Sequence, residues 1–202
     1  MASPAWLGGL LLVLGALAFA VGAGNPHLVR VWTSSDEVGL PIIHVHPRSW
    51  RVTAILMIAA TVLTAAGLWL LADVLATPLA RAGAVGYLLA AGCWIAHLAA
   101  RLSVTPAAAA GFVAGDGIDP AYRLFGRWTG SLFAVFTVVA GLSLVAIGAA
   151  VLGSALAFGA GWTGIGFGVL IVGGFLAFGD MPPFVSYIPT LLFGIALLLR
   201  AG

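Results

Sequence analysis

Residues 82–104 read AGAVGYLLAAGCWIAHLAARLSV, an apolar run with a thiol, an imidazole and a guanidinium well inside it. A helix of about 20 residues crosses the hydrocarbon core of a bilayer, and this run is long enough. Cys93, His97 and Arg101 follow at intervals of four, which sets all three along one face of a helix. An imidazole or guanidinium facing lipid is costly, so that face should look into protein or toward water. Cys93, His97 and Arg101 are therefore the expected buried polar centre. The helix carrying them is expected to be the hub of a bundle.

The rest of the chain has the composition this reading needs. Of its 202 residues, 62% are hydrophobic and 7% charged, far from the usage of soluble domains. Membrane spans must account for most of the length, as a single integral membrane domain over residues 1–202. All eight basic residues are arginines, which removes any chemistry that needs a lysine Schiff base. A formal charge of +2 with no basic recognition motif speaks against nucleic acid as a partner. The lone cysteine can form neither an intramolecular disulfide nor a multi-cysteine metal site.

Working outward, six apolar runs read as spans, over residues 6–23, 52–76, 82–104, 128–153, 161–179 and 184–199. The first has small residues after it but lacks the positive start of a secretory signal, so it reads as a retained helix. Gly8, Gly15 and Gly22 recur every seven residues along it, and Gly164 and Gly168 stand four apart in the fifth span. Both patterns make side-chain-free strips on which another helix can pack closely. Pro189 falls inside the last span, where its missing donor should bend the helix. Asp73 and Arg81 flank the Thr77-Pro78 stop between the second and third spans, a natural place for an interfacial ion pair.

Two polar segments separate these spans. In residues 24–51, the stretches 27–32 and 40–46 are rich in β-branched and aromatic residues, with a polar turn between them. That pattern predicts a small hairpin on the membrane surface. Residues 105–118 lack a consistent period and predict irregular chain. From Asp119 a short amphipathic surface helix is predicted, capped by Asp119 with Pro120 in its first turn. Arg30, Arg48, Arg51, Arg123 and Arg127 lie between spans one and two or three and four, with Arg101 near that end of the third span, against Arg81 and Arg200 on the other side. The positive-inside rule then predicts a multi-pass cell-membrane protein with both termini outside.

Candidate chemistry is sparse. In a strand, residues two apart share a face, so His44 and His46, with His27 nearby, form the candidate metal site, for zinc or copper. His97 is the candidate haem ligand, quinone partner or proton relay. Membrane haem ligation generally uses two histidines at one depth, and the other three histidines lie outside the expected spans.

Past Trp94 the sequence carries W-x-x-H-L-x-x-R-L, an Asp-Pro-Ala-Tyr segment, a Gly-Trp-x-Gly span and a closing I-P-T-L-L-F-G-I helix. In these features residues 83–202 resemble small uncharacterised integral membrane proteins of bacteria, grouped as domains of unknown function. The resemblance implies a fold and no catalytic residues.

The expected fold is thus an all-α six-transmembrane-helix bundle with a hairpin-like surface segment after the first helix. The expected function is that of an accessory or scaffolding subunit without its own catalytic centre, packing against membrane-protein partners or copies of itself. A metal-, haem- or quinone-associated redox protein is the alternative, and a small transporter or channel the next.

Overall fold

Prolines open four of the helices. Pro4, Pro47, Pro78 and Pro120 are the first residues of α1 (Pro4–Ala23), α3 (Pro47–Leu75), α4 (Pro78–Gly111) and α5 (Pro120–Leu152). In a first turn the missing N–H has no intrahelical partner to lose. Ser3, Thr77 and Asp119 cap three of these starts, accepting from the backbone N–H of Trp6, Ala80 and Ala121. A short helix α2 (Asp36–Val45), α6 (Phe158–Phe178) and α7 (Tyr187–Ala201) complete the set. The computed structural model describes residues 3–156 and 158–201, with the backbone alone for Phe158. Ala157, inside the expected linker before the fifth span, lies outside the described residues.

All six predicted spans are present as helices long and apolar enough to cross a membrane. The protein is a multi-pass membrane protein. Its spans stand in a ring: α1 packs on α3, α3 on α4, α4 on α5, α5 on α6, and α7 closes the ring between α6 and α1. Phe19, Tyr87, Phe136, Leu144 and Phe193 fill the middle and are fully buried. The helix carrying residues 82–104 is one stave of this ring and not its hub. In its most apolar stretch 44% of α4 is buried, against 56% of α5 and 22% of α6.

The seams of the ring are lined by glycine. A Cβ added at Gly148 on α5 would stand 2.7 Å from the Gly161 carbonyl oxygen on α6, and one at Gly141 would stand 3.0 Å from the Gly168 carbonyl. Gly9 and Gly194 do the same between α1 and α7, at 2.8 Å and 2.9 Å from each other's carbonyls. The heptad strip on α1 faces α3: Gly8 meets Leu70, Gly15 meets Thr64, and Gly22 meets Leu56. Gly164 and Gly168 both face α5. These strips, expected to serve partners or copies as well, are spent on seams within the chain.

Three local expectations are corrected. The predicted hairpin is helical: a 3-10 turn (Val29–Trp32) leads into α2. Asp36 and Glu37 in its first turn suit the positive end of a helix. Leu40 and Ile43, three apart, bury one face against Leu28, Trp50 and Tyr122. That spacing is helical, and burial outweighs the β-branched composition. Next, α4 runs on through the predicted irregular segment, 34 residues in all, and α5 starts at Pro120 and continues 33 residues without a break. A π turn (Phe112–Asp116) joins them, with Gly115 at φ 99° and Gly117 at φ 72°, values open to glycine and strained for other residues. Finally, Pro189 lies in the first turn of α7, after a 3-10 turn (Pro183–Ser186), a position where a missing N–H is tolerated and not the helix interior expected.

Two outcomes follow from these backbones. Gly148→Ala should lower thermal stability in detergent by about 1–3 kcal/mol, because the new methyl meets backbone that cannot yield. Gly166→Ala, whose Cβ meets nothing within 4 Å, should instead gain up to about 1 kcal/mol from helix propensity. Equal melting shifts for the two variants would overturn this account of the seams. At the end of α3, Ala76 takes a left-handed φ of 52°. Ala76→Gly should therefore raise the melting temperature, by relief of about 1 kcal/mol.

Candidate functional site

Polar groups inside the ring are few, and three of them, Thr64 Oγ1, the Tyr87 hydroxyl and Trp94 Nε1, are buried without a hydrogen-bond partner. Thr61 donates its hydroxyl to the Met57 carbonyl at 2.8 Å, so the Tyr187 hydroxyl, 3.0 Å away, must donate to Thr61. That bond ties α3 to α7, and the Tyr187 ring stacks on Phe19 with centroids 4.1 Å apart. Thr137 and Ser143 bond back to their own helix.

His97 is the deepest titratable group on α4's polar face, 7% exposed. Its Nδ1 lies 2.8 Å from the Thr129 carbonyl oxygen on α5. A carbonyl only accepts, so Nδ1 carries the proton and Nε2 the lone pair. The ring stacks on Trp94, with centroids 4.8 Å apart, and tilts against Phe133. Cys93 is partly buried against the core, and Arg101 is partly exposed. The three residues expected on one face thus fan out, with His97 inward and its neighbours at the flanks.

The histidines outside the spans do not assemble as expected. His44 sits in the last turn of α2 and His46 caps its end. In a helix residues two apart point about 200° away from each other, so the shared strand face is lost. His46 stacks instead on His27, with centroids 4.5 Å apart. Among the described residues no three His, Cys, Asp or Glu side chains come together to hold a metal ion. At the opposite end of the bundle, Asp73 and Arg81 form no ion pair among the described residues. The turn between them is closed by the left-handed Ala76 and the Thr77 cap.

A second polar place was not foreseen. Helices α4 and α5 are each about 50 Å long, well over the roughly 30 Å hydrocarbon core, and they project together at the arginine-rich end. There α2 packs on the end of α4 and on the π turn. A cavity of about 210 Å³ lies behind it, lined by Ser34, Asp36, Trp50, Arg101, Thr105 and Tyr122 among others. Trp50 is 3% exposed and Thr105 2%, yet Trp50 Nε1 and Thr105 Oγ1 have no hydrogen-bond partner. The Tyr122 hydroxyl is the polar group that faces the Thr105 side chain. Arg101 and Asp36 share the cavity without closing an ion pair among the described residues. Each of these residues looks ordinary in sequence: an interfacial tryptophan, a helix-start acid, a snorkelling arginine. Nothing local links position 36 to positions 50, 101 and 122.

No protein-family model, curated protein or solved structure matches the chain.

Chemically, the His97 level offers one lone pair among aromatic rings, with no acid, base or nucleophile bonded to it. The cavity is lined by one cation and one carboxylate, with Trp50 Nε1 and Thr105 Oγ1 buried within its wall. Nitrogen NMR of histidine-labelled protein should show His97 neutral with the proton on Nδ1, the rarer tautomer. His97→Leu should cost about 1 kcal/mol, the usual net worth of one such bond. A proton on Nε2, or loss of more than about 3 kcal/mol on this replacement, would contradict the bonding described.

Proposed function

We propose that this protein is an accessory or scaffolding subunit of a bacterial cell membrane, holding a partner's transmembrane helix and carrying no catalytic centre of its own. What supports this is the outward face of α6. Gly159, Gly166 and Gly173 are exposed there, and a Cβ at any of them would meet nothing within 4 Å. Their spacing of seven suits the left-handed, nearly parallel crossing of two helices. The glycines of α1 and the other glycines of α6 show what this chain does with such strips, which is to pack another helix on them. A helix as glycine-rich as α6 is weak on its own, and only 22% of its most apolar stretch is buried by the chain itself. A partner helix would supply the contacts that lipid chains make poorly with bare backbone.

The arginine distribution orients the bundle. Arg30, Arg48, Arg51, Arg101, Arg123 and Arg127 lie at the end where α2 sits, which supports a reading with that end in the cytoplasm and both termini outside.

Native mass spectrometry after gentle extraction from the native membrane should find the protein with a co-purifying membrane protein or a second copy. Gly166→Trp and Gly173→Trp should abolish that association while helix content is unchanged. A clean monomer from the native membrane would sink the proposal. For orientation, Asp116→Cys in a Cys93→Ala background should react with an impermeant maleimide only after cells are lysed. Labelling of intact cells would reverse the assignment.

A further inference from the structure

Three arginines stand at one height on three successive staves of the ring. At about 1.5 Å per residue, Arg51, Arg101 and Arg127 each lie about 36 Å from the far end of α3, α4 or α5. The hydrocarbon core is about 30 Å thick, and the head-group layers bring a bilayer to about 40–45 Å. With the far ends at one edge of the core, all three arginines fall within the phosphate layer at the other. Tryptophan marks the same height. Trp128 follows Arg127 and is exposed, and the exposed Trp32 stacks on Trp50, the neighbour of Arg51. Indoles gather at that level of a membrane.

The three differ in what answers their charge. Arg101 is partly exposed and lines the cavity with Asp36. Arg51 and Arg127 are exposed. Helix α5 carries no acidic residue, and Asp73, the one acid on α3, lies at its far end. Among the described residues neither guanidinium makes an ion pair or a hydrogen bond. The acids of this end belong to other elements. Asp36 and Glu37 open α2, where Glu37 lies in the field of Arg123. Asp116 and Asp119 stand in the α4–α5 connection, and Asp180 in the turn before α7.

Two exposed cations thus sit at phosphate height with no carboxylate of their own helix beside them. The acceptor abundant at that height is a phosphate oxygen, which a guanidinium takes through paired N–H groups. A zwitterionic head group brings an ammonium with its phosphate, and neither helix offers a carboxylate to receive it. An anionic head group brings none. We propose that Arg51 and Arg127 form a docking rim that selects anionic phospholipids, of the phosphatidylglycerol type, from the leaflet around this end. The phosphate rests on the guanidinium, and the exposed indoles of Trp32 and Trp128 lie against the glycerol and upper acyl chain. The rim is independent of the α6 face and of which side of the membrane this end occupies.

The test uses the full chain in nanodiscs of phosphatidylcholine, phosphatidylethanolamine and phosphatidylglycerol in equal parts. Native mass spectrometry of the released protein should find phosphatidylglycerol retained in preference to both zwitterionic lipids. Arg51→Gln and Arg127→Gln should each weaken that retention by about fivefold, the scale of one arginine at an anionic surface. Arg51→Lys and Arg127→Lys should keep most of it, because the charge stays. Arg81→Gln, at the opposite end of α4, should change nothing. Circular dichroism and gel filtration check the folding of each variant. Equal retention of the three lipids by the unmodified chain would overturn the rim, and a preference for phosphatidylethanolamine would refute the anionic choice. Retention left unchanged when Arg51→Gln and Arg127→Gln are combined would place the lipid elsewhere. An equal loss in Arg81→Gln would reduce the effect to net charge and remove the site.

Discussion

The architecture rests on backbones that come too close for a side chain. Between α5 and α6 the carbonyls of Gly161 and Gly168 lie where Cβ atoms on Gly148 and Gly141 would need to be, and α1 meets α7 in the same way at Gly9 and Gly194. In lipid there is no hydrophobic drive to press helices together, because acyl chains are as apolar as leucine. Association then depends on dense van der Waals contact, which falls off steeply with distance. Removing side chains at the seams lets whole backbones meet and gathers that contact along several turns. The ring closes because its first and last spans share such a seam.

The same closeness decides where polar groups can go. Within the ring most hydroxyls bond to their own helix, Thr64 Oγ1 and the Tyr87 hydroxyl are buried without a partner, and the cross-helix bonds are few: Tyr187 to Thr61, and His97 to the carbonyl of Thr129. Each joins a donor to an acceptor with no charge left over, the arrangement a low-dielectric interior tolerates. Most of the charge is carried at the end where α4 meets α5. There α2 folds over their shared ledge and encloses Arg101, Trp50 and Thr105. Among the described residues the apolar bundle thus carries a polar cavity beneath α2.

How much could be read in advance depended on the range of the interaction concerned. Ser3, Thr77 and Asp119 as caps, prolines at helix starts and the six apolar runs act over a few residues, and each stands where its local chemistry points. Residues 27–46 were misread because their β-branched composition was weighed above the three-residue spacing of Leu40 and Ile43. That spacing gains its meaning only when Trp50 and Tyr122 are there to cover it. The α4 extension past Thr105 was hidden for a similar reason. A run of alanines has no period, yet it is good helix, and Ala109 is buried in the small cluster that α2 completes.

The sequence by itself determined that the chain crosses a membrane six times as helices and that its arginines gather on one side. Both follow from transfer free energies summed over single residues, and neither needs a neighbour. It also marked His97 as a group that must be sheltered, since the cost of an imidazole in lipid does not depend on the fold. Only the tertiary structure decided which glycines close which seams, that α4 is a stave of a ring, and that Gly159, Gly166 and Gly173 remain open. It alone brought Asp36, Trp50, Arg101 and Tyr122 around one cavity. Those are properties of pairs of residues distant in sequence, set by the angles and depths at which helices cross, and no local pattern of residue types contains them.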